Sequence, residues 1–150
     1  MQLELSFSSK KLTVVDLFSG AGGLSCGFEM AGFETILGID HNYNAIETFK
    51  TNHKSAEGFC GDIATIDEEQ LNTLTKNRKV DVICGGPPCQ GLSTVGKGIP
   101  DDPRNQLFLH FVRIVKILKP KYLVLENVSG LLGKRNAQIL NGILTEFQKI

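Results

Sequence analysis

The stretch LTVVDLFSGAGGLSCG, residues 12–27, places an apolar run directly before a cluster of glycines. The run at residues 12–18 predicts a buried strand, and the glycines lead into a helix on which Leu24 and Phe28 share one face. Gly32 suits the C-terminal turn of that helix. Glycines in such a turn let the backbone bend sharply and pass close to a ligand. A strand, a glycine turn and a helix in this order are typical of nucleotide-binding α/β domains.

The rest of the chain repeats this alternation of strand and helix. Further strands are predicted at residues 35–40, 58–63, 80–86 and 122–127, and a last helix at residues 138–150. These strands are apolar at nearly every position, as expected where helices cover both faces of a parallel sheet. The sequence therefore predicts an α/β fold, a Rossmann-like three-layer sandwich with right-handed crossovers that is truncated after its fifth strand.

Two helix boundaries carry their own signals. Asp67 is a candidate N-cap, with Gln70 three residues later as its capping-box partner. Leu107 and Phe111 begin a second apolar series at helical spacing, which continues until Pro120 stops it. Both segments are therefore predicted to be helices with one buried face.

Composition narrows the class of protein. Sixteen basic residues balance sixteen acidic ones, so the total charge does not indicate a chain that holds nucleic acid by electrostatics. No apolar run resembles a secretion signal or is long enough to cross a bilayer, which favours a cytoplasmic protein. The four cysteines lack CxxC spacing and form no zinc pattern with the three histidines, so free thiols and no metal site are expected.

Acidic residues follow the second and third predicted strands, at the edge where ligands bind in parallel sheets. Asp40 stands twenty residues after Gly20, the usual place of a carboxylate that binds ribose hydroxyls, and Asp62 follows the third strand. Such strand-end acids are expected to pack little. Ser25 stands where the third glycine of G-x-G-x-x-G belongs, which counts against a pyrophosphate ligand. S-adenosylmethionine fits this pattern, because it is adenosine-like, lacks phosphate and carries a cationic sulfonium.

The motif GGPPCQGLS, residues 85–93, presents a cysteine after the fourth strand. Its two prolines force the chain out of the sheet and hold Cys89 at the rim. The polar, glycine-rich run at residues 90–106 is typical of a mobile active-site loop. Glu126 ends the apolar fifth strand, where an unpaired carboxylate would be costly. A thiol and an acid on neighbouring strand ends indicate a nucleophile with a proton donor.

Four motifs, DLFSGAGGLSCGFEMAGF, GDI, GGPPCQGLS and LENV, together resemble the ordered motifs of the DNA (cytosine-5) methyltransferases. The resemblance covers residues 12 to about 132. It implies an S-adenosylmethionine-dependent methyltransferase fold, with residues 1–150 as the N-terminal portion of a single catalytic domain. The family's arginine-bearing motif, target-recognition region and pocket-closing segment are not found in this sequence. We therefore expect a fragment, a truncated gene product or one subunit of a split enzyme, inactive by itself.

The resemblance also implies the chemistry and the site residues. Cys89 attacks carbon 6 of a cytosine flipped out of double-stranded DNA, and Glu126 bonds the ring N3 and the exocyclic amine. The substrate contacts implied beyond these two are Gln90, Ser93 and Asn127. The cofactor contacts implied are Phe18, Gly20, Ala21, Gly22, Gly23, Leu24, Asp40, His41, Asp62, Ile63, Pro88 and Leu107. For Phe18, Ile63 and Leu107, packing in the core is the alternative role.

Partners and rival functions follow from the same resemblance. A complementary C-terminal half is expected to pair with the exposed fifth strand, or the chain is expected to associate with itself there. A tRNA cytosine-5 methyltransferase and a non-catalytic cofactor-binding subunit remain open as alternatives. A nicotinamide-binding Rossmann protein is disfavoured by Ser25 and by the PPCQG segment. No metal and no membrane are expected.

Overall fold

A computed structural model describes residues 10–87, 104–127 and 137–150 of the 150-residue chain. Within them, five parallel strands alternate with five helices, so the predicted α/β alternation is confirmed. In chain order the elements are β1 (Thr13–Leu17), α1 (Gly23–Met30), β2 (Glu34–Asp40), α2 (Tyr43–Asn52), β3 (Glu57–Cys60), α3 (Glu68–Leu74), β4 (Val82–Gly85), α4 (Arg104–Leu118), β5 (Tyr122–Leu125) and α5 (Ala137–Gln148).

The sheet has the strand order β3-β2-β1-β4-β5. The chain runs outward from β1 to β3 and then crosses back to place β4 on the other side of β1. Leu17, the last residue of β1, pairs with Ile39 of β2 and with Gly85 of β4. The carboxyl ends of these three strands therefore meet at one edge, and the order reverses between β1 and β4. Ligands of open α/β sheets bind at such a reversal.

Helices pack on both faces of the sheet. One face carries a small cluster of Val14, Val82 and Cys84 against Leu24 and Phe28 of α1. The other face carries the main core, in which Leu17, Leu37 and Ile83 pack with Leu71 of α3 and with Phe111 and Ile114 of α4. The predicted three-layer sandwich is confirmed. Of the apolar residues predicted to face inward, Phe111 is fully buried, whereas Leu24, Phe28 and Leu107 are partly buried.

The helix ends confirm the boundary signals. Gly32 adopts a left-handed φ of 89° after α1, and the N–H of Phe33 returns to the carbonyl of Phe28 at 3.1 Å. This pattern is a Schellman motif, which satisfies the last carbonyls of a helix. Asp67 caps α3 by accepting the backbone N–H of Gln70 at 2.8 Å. The α4 helix ends at Leu118, two residues before Pro120.

The β5 strand differs from the prediction that strands are covered on both faces. Tyr122, Leu123 and Val124 are all exposed, and Tyr122 retains 65% of its accessible surface. Among the described residues, β5 pairs with β4 on one side and forms an edge of the sheet, as expected for the fifth strand. Within the same residues, no helix is both long and apolar enough to cross a membrane.

Candidate active site

The turn between β1 and α1 is held in an unusual backbone conformation. Phe18, Gly20 and Gly22 all have positive φ angles, of 60°, 54° and 91°. A non-glycine residue in this region costs of order 1–3 kcal/mol and is found most often at functional sites. The turn is fixed by the N–H of Ser19, which donates to the carbonyl of Ile39 at 3.0 Å. The strain at Phe18 could not be predicted from its residue type.

Asp40 lies at the end of β2 and binds the neighbouring turn. Its Oδ2 accepts the backbone N–H of Gly20 at 2.9 Å, and its Oδ1 accepts that of Asn42 at 2.8 Å. His41 is exposed, with Nδ1 at 3.4 Å from the same carboxylate. The Asp40 side chain is only 12% exposed, so the expectation that it would pack little is wrong. It lies at the carboxyl-end edge of the sheet, and it also holds the glycine turn.

Asp62 and Ile63 follow β3 in different environments. Asp62 is exposed and accepts the N–H of Ala64 at 2.9 Å within its own turn. The Ile63 side chain is buried in the main core, and its carbonyl accepts Nη2 of Arg113 at 2.7 Å. Phe18 and Leu107 are partly buried against the same core. Asp62 is therefore exposed beyond the end of β3, whereas the Ile63 side chain packs in the main core.

The beginning of α1 is open on the ligand side. No side chain caps this helix at Gly22. A Cβ built at Gly20 or at Gly23 would meet nothing within 4 Å, so there is room beside the turn. Ala21 is exposed, and Leu24 packs into the small apolar cluster. The turn at Gly20 and the first helical residue, Gly23, thus have free space beside their backbone.

Glu126 lies beside the end of β4. Its N–H donates to the carbonyl of Gly85 at 2.9 Å, and a Cβ at Gly86 would lie 2.7 Å from its Oε2. The carboxylate of Glu126 therefore rests against the backbone at Gly86. Glu126 is exposed, so the apolar surroundings expected from its sequence position are not found, whereas Asn127 is half-buried. Pro88, Cys89, Gln90 and Ser93 lie outside the described residues.

A buried acid beneath the glycine turn was not anticipated. Asp16, in the middle of β1, is 1% exposed, and its Oδ2 accepts the hydroxyl of Ser25 at 2.7 Å. Burial raises the pKa of Asp16, and burial together with Asp16 raises the pKa of the Cys84 thiol. Cys84 is consequently a poor nucleophile. Ser25, at the position of the third glycine of G-x-G-x-x-G, thus bonds one oxygen of Asp16, while the other oxygen, Oδ1, is buried without a hydrogen-bond partner among the described residues. The sequence signal for this buried acid was an aspartate inside the otherwise apolar run at residues 12–18.

The described residues also include three free cysteines and a buried histidine. Cys26 and Cys60 are exposed free thiols, and Cys84 is a buried one. In the described ranges, no group of three or more histidine, cysteine or acidic side chains could hold a metal ion. His53, which the sequence did not single out, is buried against the carbonyl of Gly22.

Sequence comparison identifies relatives along almost the whole chain. Type II methyltransferase M1.HphI of Haemophilus parahaemolyticus is 41% identical over 142 residues, which cover 93% of this chain and 38% of that protein. Type II methyltransferase M.FnuDI of Fusobacterium nucleatum is 44% identical over 140 residues, covering 92% and 38%. The chain thus spans well under half the length of these two relatives.

Structural comparison gives the same result. A protein described as a DNA modification methyltransferase from an E. coli prophage superposes with a TM-score of 0.78 at 36% identity, over 93% of this chain and 38% of that one. The S. pombe Dnmt2 methyltransferase superposes with a TM-score of 0.64 at 26% identity, over 91% and 40%. The family model for C-5 cytosine-specific DNA methylases matches residues 12–150. The glycine turn, Asp40 and Glu126 lie at one edge of the parallel sheet. Because the family model matches almost the whole chain, the chain belongs to the C-5 cytosine-specific DNA methylase family.

Proposed function

We propose that residues 1–150 are the N-terminal portion of one methyltransferase catalytic domain, which transfers a methyl group from S-adenosylmethionine to carbon 5 of cytosine in DNA. The observation that carries this proposal is the shared edge of the sheet. The glycine turn after β1, Asp40 at the end of β2 and Glu126 after β5 lie on that edge. The β4 strand lies between β1 and β5 and ends at Gly85, the first residue of GGPPCQGLS, at the same edge.

The residues at the edge fit S-adenosylmethionine in their chemistry. The uncapped start of α1 offers backbone N–H groups and a positive dipole end, which suit a carboxylate. Asp40 and Asp62 supply acceptors for hydroxyl and amino groups, and their negative charge suits a cationic ligand. Phe18, His41, Pro88 and Leu107 are proposed as pocket walls around these groups. When bound, the cofactor supplies an electrophilic methyl group.

The chain's own residues would perform the remaining chemistry. The thiolate of Cys89 attacks carbon 6 of a flipped cytosine and forms a carbon–sulfur bond. Glu126 bonds N3 and the exocyclic amine, which stabilises the charge that this addition places on the ring. Carbon 5 becomes nucleophilic and is methylated. Loss of the carbon 5 proton then expels the Cys89 thiolate and restores the aromatic ring. Gln90, Ser93 and Asn127 are proposed to contact the DNA.

The proposal includes a partner for this chain. The relatives are more than twice as long, so target recognition is assigned to a complementary C-terminal half. The exposed edge of β5 is a suitable place for that half to extend the sheet. DNA is preferred over tRNA as the substrate because the curated relatives are named Type II methyltransferases.

The nucleophile can be tested with a trapping substrate. In duplex DNA carrying 5-fluorocytosine, the fluorine does not leave as the proton would, so the covalent adduct persists. The complete enzyme, this chain with its complementary half, should form the adduct with DNA and not with tRNA carrying the same base. Cys89→Ser should lose the adduct, whereas Cys60→Ser, which removes an exposed thiol after β3, should keep it. An undiminished adduct in Cys89→Ser would show that the nucleophile is another residue.

A further inference from the structure

Arg113, on α4, joins that helix to the turn that follows β3. Its Nη2 donates to the carbonyl of Ile63 at 2.7 Å, and its Nη1 donates to the carbonyl of Ile66 at 2.6 Å. The Arg113 side chain is half-buried, so both bonds are partly shielded from water. One guanidinium therefore holds the turn at two carbonyl groups.

The two carbonyls depend on Arg113 for their hydrogen bonds. Among the described residues, no backbone N–H donates to the carbonyl of Ile63 or of Ile66. The buried side chains of these two isoleucines hold the turn against the main core, but apolar packing is non-directional and does not by itself orient a peptide group. The guanidinium of Arg113 does so, because its planar fork places two donors at fixed positions.

The peptide between Ile63 and Ala64 carries this constraint to Asp62. Its carbonyl accepts the bond from Arg113, and its N–H, that of Ala64, donates to Oδ1 of Asp62 at 2.9 Å. The peptide is trans and planar, so its two polar groups point in opposite directions. A charge-assisted bond to the carbonyl also strengthens the N–H as a donor. Arg113 and Asp62 therefore bind the two sides of one peptide group.

This link leaves one oxygen of Asp62 for a ligand. Its Oδ1 accepts the Ala64 N–H, whereas its Oδ2 accepts no hydrogen bond from the described residues. The side chain is exposed, and a local bond of this kind contributes only modestly in water. A peptide held by Asp62 alone would let the carboxylate turn more freely. With the peptide also held by Arg113, Oδ2 keeps one direction.

We propose that Arg113 is a positioning residue that directs Oδ2 of Asp62 toward an amino or hydroxyl group of the cofactor. The identity of that ligand rests on the function proposed above, whereas the hydrogen-bonded link from Arg113 to Asp62 does not. Arg113 does not touch the reacting atoms. Its effect on the ligand passes through the carboxylate of Asp62.

The link can be tested without any ligand. In the 150-residue chain, Arg113→Met keeps an unbranched stem and removes both donors, so hydrogen exchange at the Ala64 amide should become roughly tenfold faster. Arg78→Met is the matched control. Arg78 also donates two bonds, to the carboxylate of Glu34 at 2.7 and 2.6 Å, but at the opposite edge of the sheet. Its replacement should leave exchange at Ala64 unchanged.

Cofactor binding supplies the second readout. In the complete enzyme, Arg113→Met is expected to raise the dissociation constant for S-adenosylmethionine roughly tenfold by calorimetry. Arg113→Lys, which keeps one donor group, should raise it less, and it replaces Arg113→Met in both measurements if the methionine variant does not fold. Arg78→Met should bind the cofactor as the unchanged enzyme does.

A double-mutant cycle distinguishes this role from a general loss of stability. Asp62→Ala removes the carboxylate that Arg113 directs, so adding Arg113→Met to it should weaken binding no further. An unchanged enzyme that bound no S-adenosylmethionine would count against the proposed function, and exchange at Ala64 would still decide on the link. Equal losses of affinity with and without Asp62, or exchange at Ala64 unaffected by Arg113→Met, would overturn the proposal.

Discussion

The carboxylate of Asp40 accepts the backbone N–H of Gly20 at 2.9 Å, so the end of β2 holds the turn that follows β1. Because Asp40 stands twenty residues after Gly20, we expected its carboxylate to bind ribose hydroxyls. In the structure both oxygens of this carboxylate accept backbone N–H groups, so Asp40 holds the turn in addition to its proposed role in binding ribose. An oxygen that accepts one hydrogen bond can accept another, so the two tasks are compatible.

Replacement of Asp40 should therefore affect stability as well as binding. Asp40→Asn puts an amide NH₂ where one of two acceptors stood, which leaves one backbone N–H without its partner. We expect the free energy of unfolding to fall by about 1–2 kcal/mol and cofactor affinity to fall with it. Urea unfolding and calorimetric titration measure these changes. Asp67→Asn is the control, since asparagine also caps a helix. Equal effects in both variants would contradict the role assigned to Asp40.

The glycines of the turn should differ sharply in their tolerance of alanine. Gly22→Ala combines a φ of 91° with overlap of the His53 ring, so we expect a loss of at least about 3 kcal/mol or failure to fold. Gly23→Ala lies in a helix and meets open space, so unfolding should be unchanged or slightly harder. Thermal unfolding of the two variants gives the comparison. Similar melting temperatures would show that the His53 ring does not limit this turn.

Asp81 at the opposite edge should make stability depend on pH. Its carboxylate accepts the N–H of Thr13 at 3.1 Å and pairs with Lys121 at 3.0 Å, which links the starts of β1 and β5. The Lys121 ammonium, followed by the Thr13 bond, holds the pKa of Asp81 below its usual value. A lowered folded-state pKa gives stability above the unfolded-state value of about 3.9, and that stability disappears as the pH falls through the folded-state value.

The test compares acid unfolding of the unchanged chain with that of Asp81→Asn. At neutral pH the variant should be less stable by about 1–2 kcal/mol, and the difference should shrink as the pH falls below 4. Glu146→Gln is a useful control, because its pair with Lys149 is exposed and should contribute little. A difference that stayed constant between pH 7 and pH 3 would assign the effect of Asp81 to packing instead of charge.

Most of the fold could be predicted because its signals are local. Apolar runs located the strands, and Asp67 and Gly32 marked helix ends through bonds within a few residues. The contacts of His53 with Glu29 and with the Gly22 carbonyl could not be predicted, because Glu29 and His53 are 24 residues apart and meet only when α1 and α2 pack together. The edge position of β5 was expected, whereas the exposure of the Tyr122, Leu123 and Val124 side chains was not. A strand's own residues do not reveal whether distant elements cover its faces.

The candidate site was predictable in part. Strand ends located the edge, and the carboxylates of Asp40, Asp62 and Glu126 lie there. Their surroundings were harder to foresee, since Asp40 is mostly buried and Glu126 is exposed. Burial is set by contacts between elements distant in sequence, which composition and spacing do not report.

The last prediction concerns the 150-residue chain without a partner. Tyr122 and Val124 project from one face of β5, and the strand's outer edge has unpaired backbone groups within the described sheet. Such an edge attracts other chains. We expect concentration-dependent self-association by light scattering and no transfer of labelled methyl groups to duplex DNA, because a chain of zero net charge offers few phosphate contacts. Tyr122→Lys should reduce association, whereas Leu109→Lys, which places the same charge on exposed α4 surface, should not. A monomer that methylated DNA at an ordinary enzymatic rate would refute both the dependence on a complementary half and the role of this edge.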